Sequence, residues 1–269
     1  MTNLHWTTAI TSVQPNELRL RGYRIDELMG RVTFGQAVYL ALKGELPSPE
    51  VGRLMDAMLV SSIDHGATPP SALATHTAAS TGATLSASIA AGVLSINRYH
   101  GGAIEGCMRL LLEAIDRLDG DTSPAELASE MLTELKAQKK RAPGFGHRVH
   151  TDDPRTKRLL ALADELGISG NGVTMARAFE KALEKSLRRK LPLNVDGALA
   201  ALLVDLDFPS ELGNAFFIIA RVPGLAAHAH EEMTRQRPMR RIHPTDHEYD
   251  GPGPRELASQ RISETRREG

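Results

Sequence analysis

Strict alternation of apolar and polar residues, the pattern of a half-buried strand, is nearly absent from this 269-residue chain. Apolar residues recur instead at helical spacing. Residues 49–62 carry Leu54, Met55, Met58 and Leu59 at that spacing, with Glu50 in the first turn. Residues 108–118 repeat the pattern with Leu111, Leu112 and Ile115. Ser123 before Pro124 reads as an N-cap followed by proline at the first helical position, and Leu127, Met131, Leu132 and Leu135 follow. Further helices are expected over 156–166, 173–187, 195–206 and 211–232, the last with a bend or break at Pro223 and Gly224. Residues 85–96 are small and apolar on nearly every side, through Ala87, Ala90, Ala91 and Gly92. That composition predicts a buried helix in close contact with another. Strands find room only near the start, over 7–13 and 18–20. The expected fold class is mainly α.

Composition narrows the function. A hydrophobic content of 41% supports a real core, in one large domain or two unequal ones. A formal charge of -1 gives no global field toward nucleic acid or a membrane surface, so an anionic ligand needs a local basic cluster. The single cysteine, Cys107, excludes an intramolecular disulfide and a multi-cysteine metal site. Residues 1–10 show no basic region followed by an apolar one, and apolar runs such as 215–220 are short for a membrane span. A cytoplasmic protein is expected. After His243 the chain turns polar, with Pro, Gly, Arg and Glu, and 243–269 read as a tail or an arm on a partner.

Four segments interrupt the helices, each placing His, Arg or Asp beside glycine: Asp64-His65-Gly66, Arg98-Tyr99-His100-Gly101-Gly102, Pro143-Gly144-Phe145-Gly146-His147-Arg148, and Asn194-Val195-Asp196-Gly197. Glycine at a helix start lets backbone approach a ligand, and the helix dipole there favours anions. One site assembled from several helix ends is the expectation. Residues 139–158 hold seven Lys or Arg against two Asp, and Arg235, Arg240 and Arg241 surround Arg237. Taken singly, each feature has a plainer explanation. A histidine near glycine is usually a cap or surface residue, and Asp196 at a helix start is more often an N-cap than a base. Arg221 in an apolar helix is harder to dismiss, because a buried arginine needs an anionic partner. His228 and His230 are two apart and do not share a helical face, so no metal site is expected.

Together and in order, these segments resemble the citrate synthase superfamily. HGGAIEG resembles its HGG-A-x-E segment, PGFGHRVH…DPR its P-G-[FY]-G-H-x-V…D-P-R segment, and LNVDGALA its P-N-V-D segment. IIARVPGLAAH and RQRP resemble its two C-terminal arginine segments, and LRLRGYRIDELMGRVTFGQAVYLALKGELPS its opening. The resemblance spans about residues 7 to 242 and implies a citrate synthase-like domain over 1–242, with a large subdomain and a small one within roughly 140–210. The chain departs from synthases by having room for one helix between Pro47 and His65. That shortening, with SSIDHGATPPSALATHTAAS, is more similar to citryl-CoA lyases and to the C-terminal lyase module of ATP-citrate lyase.

The resemblance implies citryl-CoA cleavage to acetyl-CoA and oxaloacetate. A citrate or 2-methylcitrate synthase, and a non-catalytic acyl-CoA-binding relative or partner subunit, are the alternatives. It implies His100, His147 and Asp196 as catalytic residues. It implies His65, Arg155, Arg221 and Arg237 as holders of the substrate carboxylates, arginine being suited by its planar fork. Ala142, Pro143, Gly144, Phe145 and Gly146 would face coenzyme A, which enters as part of the substrate with no permanent cofactor. A homodimer or higher homo-oligomer is implied, with Arg237 reaching the neighbouring subunit's site.

Overall fold

The computed structural model describes residues 6–118, 120–146 and 153–242. A small antiparallel sheet opens the chain, formed by β1 (Thr11–Gln14), β2 (Glu17–Leu20) and β3 (Tyr23–Arg24) in sequence order. Its register pairs Thr11 with Leu20 and Leu20 in turn with Tyr23. Arg21 ties the sheet to the helical body by donating from Nε and Nη2 to the Ala41 carbonyl.

Among the described residues, helices make up most of the rest. They are α1 (Ile25–Leu28), α2 (Phe34–Lys43), α3 (Pro49–Ser61), α4 (Pro70–Ser80), α5 (Leu85–Leu94), α6 (Ala103–Asp116), α7 (Pro124–Ala137), α8 (Pro154–Glu165), α9 (Asn171–Leu187), α10 (Val195–Asp205) and α11 (Gly213–Arg235). Local chemistry sets their starts. Thr33 and Gln36 form a capping box on α2, and Ser123 and Glu126 form one on α7 just before Pro124. Ser48 caps α3, Thr84 caps α5, Asp153 caps α8 and Asn194 caps α10. At the other end of α10, both carboxylate oxygens of Asp205 accept from the Gly170, Gly172 and Val173 amides, satisfying the orphan donors of α9.

The apolar core runs continuously from α2 to α11. Leu54, Met55 and Met58 of α3, Ile104, Met108 and Leu111 of α6, Met175 and Phe179 of α9, and Leu199 of α10 are among its fully buried side chains. Helix α10 is central: Ala198 through Leu203 are all buried, and it packs on α6, α8 and α9.

Two expectations change in the structure. Residues 85–94 do form a helix that packs closely on α4 and α11, but only Ser88 and Gly92 of α5 are buried. Small residues let one face approach its neighbours, while Leu85 and Leu94 on the rest of the surface stay exposed within this chain. Helix α11 does not break at Pro223 but continues to Arg235. With the 3-10 turn before it (Ser210–Leu212), it is long and apolar enough to cross a membrane. Here it packs against α3, α4, α5 and α6 and buries both Arg221 and Glu232.

Candidate functional site

The carbonyl end of α3 gathers the first part of the site. Arg221, buried in α11, donates from Nε to the Ser62 carbonyl at 2.9 Å. Arg155, at the start of α8, reaches the Ser61 carbonyl with a long contact of 3.5 Å. The negative end of the α3 dipole thus faces two guanidinium groups and lowers the cost of placing them together. Arg155 is further fixed by Asp153, to which Nε donates at 3.0 Å and Nη2 at 2.8 Å. Arg221 also meets His65 Nδ1 through Nη1 and stacks on the Phe217 ring, its guanidinium carbon 4.7 Å from the centroid. Burial lowers the Arg221 pKa to about 10, with Asp64 and Asp196 opposing the shift. Arginine stays charged at neutral pH even so.

His65 and His100 form the second part. Their rings stack with centroids 5.8 Å apart and planes within 16°. Phe217 packs edge-on against His100 at 6.1 Å. Nε2 of His100 lies 2.9 Å from the buried Ser71 hydroxyl of α4. Partial withdrawal from water, then the Arg221 charge, lowers the His100 pKa, so its imidazole is neutral at pH 7. If the Ser71 hydroxyl donates to Nε2, the ring proton sits on Nδ1, free to donate elsewhere. Ser71 gives no signal of its own in a run of Ala, Ser and Thr, and sequence reasoning passed over it.

For His65 the same causes act more strongly. Partial burial first, then the charges of Arg221 and His100, bring its pKa down to about 4. The unfolded value of about 6.5 therefore exceeds the folded one. The stability this neutral ring permits is present above pH 6.5 and is lost as pH falls from there toward 4. In a proton NMR titration, we expect the His65 imidazole to show a midpoint near pH 4, moving toward 6.5 in Arg221→Gln. A wild-type midpoint near 6.5 would mean that neither burial nor the Arg221 charge acts on this ring.

Asp196, in the first turn of α10, supplies the carboxylate. It is not the N-cap: Asn194 Oδ1 accepts from the Gly197 amide at 3.0 Å and caps the helix. Burial raises the Asp196 pKa, and the Arg155 and Arg221 charges only partly reverse this. The fully buried Cys107 thiol feels the same carboxylate, and burial plus Asp196 push it up to about 12. The glycine-rich turn is bound directly to this helix start. Asn194 N donates to the Gly144 carbonyl at 3.0 Å, Asn194 Nδ2 to the Gly146 carbonyl at 2.8 Å, and Gly146 N to the Pro192 carbonyl at 2.7 Å. Gly144 has a φ of 85°, and a Cβ there would stand 2.8 Å from both Cys107 Sγ and Gly197 Cα, so only glycine fits.

A cleft of about 660 Å³ opens beside this turn. Ala142, Phe145 and Gly146 line it with apolar Leu132 and Leu183, and Lys136, Lys139, Lys140, Arg141 and Arg189 supply positive charge. Of the basic residues singled out in the sequence, Lys139, Lys140 and Arg141 line this cleft, while Arg155 faces the end of α3 and Arg235, Arg237, Arg240 and Arg241 lie at or after the end of α11. Of the expected site residues, His65, His100, Arg155, Arg221 and Asp196 come together through these contacts and charges. Arg237 lies exposed on the turn after α11. His147 lies outside the described residues.

A family model described as citrate synthase, C-terminal domain, matches residues 46–244. The chain belongs to the citrate synthase family. Within it, the structure is similar to citryl-CoA lyase from Hydrogenobacter thermophilus, 44% identical, with a TM-score of 0.86 over 94% of this chain and 97% of that one. A probable ATP-citrate synthase of Dictyostelium discoideum is 29% identical over 87% of this chain and 39% of its own length. The peroxisomal citrate synthase 1 of Arabidopsis thaliana is 31% identical over 70% of this chain and 38% of its own. The chain thus spans less than half the length of these two curated relatives, while it matches the citryl-CoA lyase nearly end to end. The C-terminal end of α3 and the N-terminal ends of α8 and α10 meet here, through Arg155, Arg221 and Asp196.

Proposed function

We propose that this chain is a citryl-CoA lyase, cleaving citryl-CoA to acetyl-CoA and oxaloacetate. The near end-to-end likeness to the citryl-CoA lyase of Hydrogenobacter thermophilus, at 44% identity, carries this reading. The short connection supports it, since α3 is the single helix between Pro47 and His65.

In this reading the carbon–carbon bond breaks by a retro-aldol step. His147 takes the proton of the citryl hydroxyl, the hydroxyl oxygen becomes the oxaloacetate carbonyl, and the bonding electron pair passes to the thioester as an enolate. His100, neutral and oriented by Ser71, donates a hydrogen bond to the thioester oxygen where charge develops. Asp196 protonates the enol carbon, giving acetyl-CoA. Its raised pKa suits that transfer, because a proton is exchanged best by a group whose pKa lies near the working pH. Arg155 and Arg221 hold the carboxylates, with His65 beside them as a neutral donor. The basic cleft takes the phosphate groups of coenzyme A, with the turn from Ala142 to Gly146 along its wall. The cytoplasmic setting remains part of this reading on sequence grounds. Incubation of the purified protein with citryl-CoA tests it: oxaloacetate and acetyl-CoA should appear in equal amounts.

The same reading includes a homodimer. Ala87, Ala90 and Leu94 lie exposed on one side of a helix with no charged residue, an apolar face without cover in one chain. Two copies joined across α5 would bury it by two-fold symmetry. Arg237, exposed on the segment after α11, would then complete the partner's site. Light scattering at micromolar concentration should give twice the chain mass of 29.2 kDa, and a monomer mass would end this part of the reading.

A further inference from the structure

Helix α11 carries more than Arg221. Arg221, Leu225, His228 and Glu232 follow at i, i+4, i+7 and i+11, so they form one stripe along the helix. Its first member holds His65 and the Ser62 carbonyl. Two turns on, His228 Nε2 lies 3.0 Å from Asp64 Oδ1, so adjacent residues of the loop after α3 are both held by α11. Gly224 allows this approach, since a Cβ there would lie 2.3 Å from the Ile63 carbonyl oxygen.

The last member, Glu232, is 3% exposed and works in two directions. His76 Nδ1 of α4 lies 3.0 Å from its Oε2, and Arg240 Nε donates to its Oε1 at 2.6 Å. The Arg240 guanidinium holds the Glu232 carboxyl below the usual carboxylate range. The His76 ring in turn meets the His228 ring edge-on, centroids 5.0 Å apart. The segment after α11 is pinned a second time, where Met239 N donates to the Ser80 carbonyl at the end of α4 at 2.9 Å. Arg237 belongs to that segment, its carbonyl accepting from Arg240 N at 3.3 Å. A buried carboxylate is costly without partners, and packing α11 on α4 does not by itself require one.

We propose that Glu232 is a positioning residue: through Arg240 it fixes the segment bearing Arg237, and through His76 and His228 it ties that segment to the loop bearing His65. The inference rests on the reading of Arg237 as a carboxylate holder. It makes one stripe of α11 the common frame for the groups that grip substrate in this chain's own site and, through Arg237, in the partner's.

The test compares Glu232→Gln, Arg240→Gln and the double variant. Tryptic cleavage after Arg241 reports on the segment whatever the protein catalyses, and KM and kcat for citryl-CoA report on the site. Arg240 is partly exposed, so its variant keeps the test open if Glu232→Gln fails to fold. Each single change should speed cleavage after Arg241 and raise KM roughly ten-fold, as loss of a hydrogen bond to a charged group does. Turnover should change by less than about two-fold, because the loss is one of uniform binding. The double variant should be no worse than Glu232→Gln alone, because that change already breaks the contact Arg240 makes. Wild-type cleavage rates in both single variants, additive losses, or faster proteolysis with unchanged KM would each overturn the proposal. An inactive wild-type protein would remove the lyase reading, and with it the role of Glu232 in substrate grip.

Discussion

Asp196→Asn is expected to abolish most turnover while the fold remains in place. Asparagine keeps the size of the side chain but cannot give a proton to the enol carbon, a function worth about 10²–10⁴-fold in rate. The structure makes this substitution unusually clean. Asn194, not Asp196, caps α10, so the helix start keeps its hydrogen bond to the Gly197 amide. The electrostatic sign also favours the variant. Burial raises the folded pKa of Asp196 above its unfolded value, so the folded state holds the proton more tightly. The charged form therefore weighs against folding as pH rises through and above the unfolded pKa, and the neutral amide escapes that cost. The melting temperature at pH 7 should equal or exceed that of the wild type. A variant with near wild-type turnover would remove Asp196 from the chemistry. One that melts far lower would show that the carboxylate is structural.

His100→Phe should lower turnover by about 10²–10³-fold, the usual cost of one donor to a developing oxyanion. Substrate affinity should change much less, since the enolate charge exists only near the transition state. Phenylalanine preserves the stacking on His65 and the edge contact with Phe217 but leaves the Ser71 hydroxyl without its ring nitrogen. Steady-state kinetics on citryl-CoA separates the two parameters. Equal loss in binding and turnover would point to a ring that shapes the pocket instead of donating.

Much of this site was legible in the sequence because its residues come in short runs with glycine at helix ends. His65, Asp196 and the turn from Pro143 to Gly146 sit at such ends, and Arg221 stands out as a charge in an apolar helix. What the runs did not carry were the partners that orient them. Ser71 sits in α4, whose sequence PSALATHTAAS has too little contrast between apolar and polar positions to show a helical face, and neither the helix nor the serine was read. Helix α2 does carry a local signal, the capping box of Thr33 with Gln36, within the segment that resembles the family's opening. The carbonyls of Ser61 and Ser62, which gather the arginines, are backbone groups with no side-chain signature. His228 suggests no more than half of a metal pair in the sequence, because its bond to Asp64 spans 164 residues. Composition predicted burial for α5 but could not say whether its cover comes from this chain.

The lyase reading separates from a compact citrate synthase in one comparison. The same preparation is given citryl-CoA in one assay and acetyl-CoA with oxaloacetate in another, and free coenzyme A thiol is followed in the second. Synthases commit to free citrate by hydrolysing the thioester, a step that depends on closing the site around water. A chain with α3 alone between Pro47 and His65 should cleave citryl-CoA readily and release thiol far more slowly. Thiol release as fast as citryl-CoA cleavage would contradict the account and make this protein a citrate synthase.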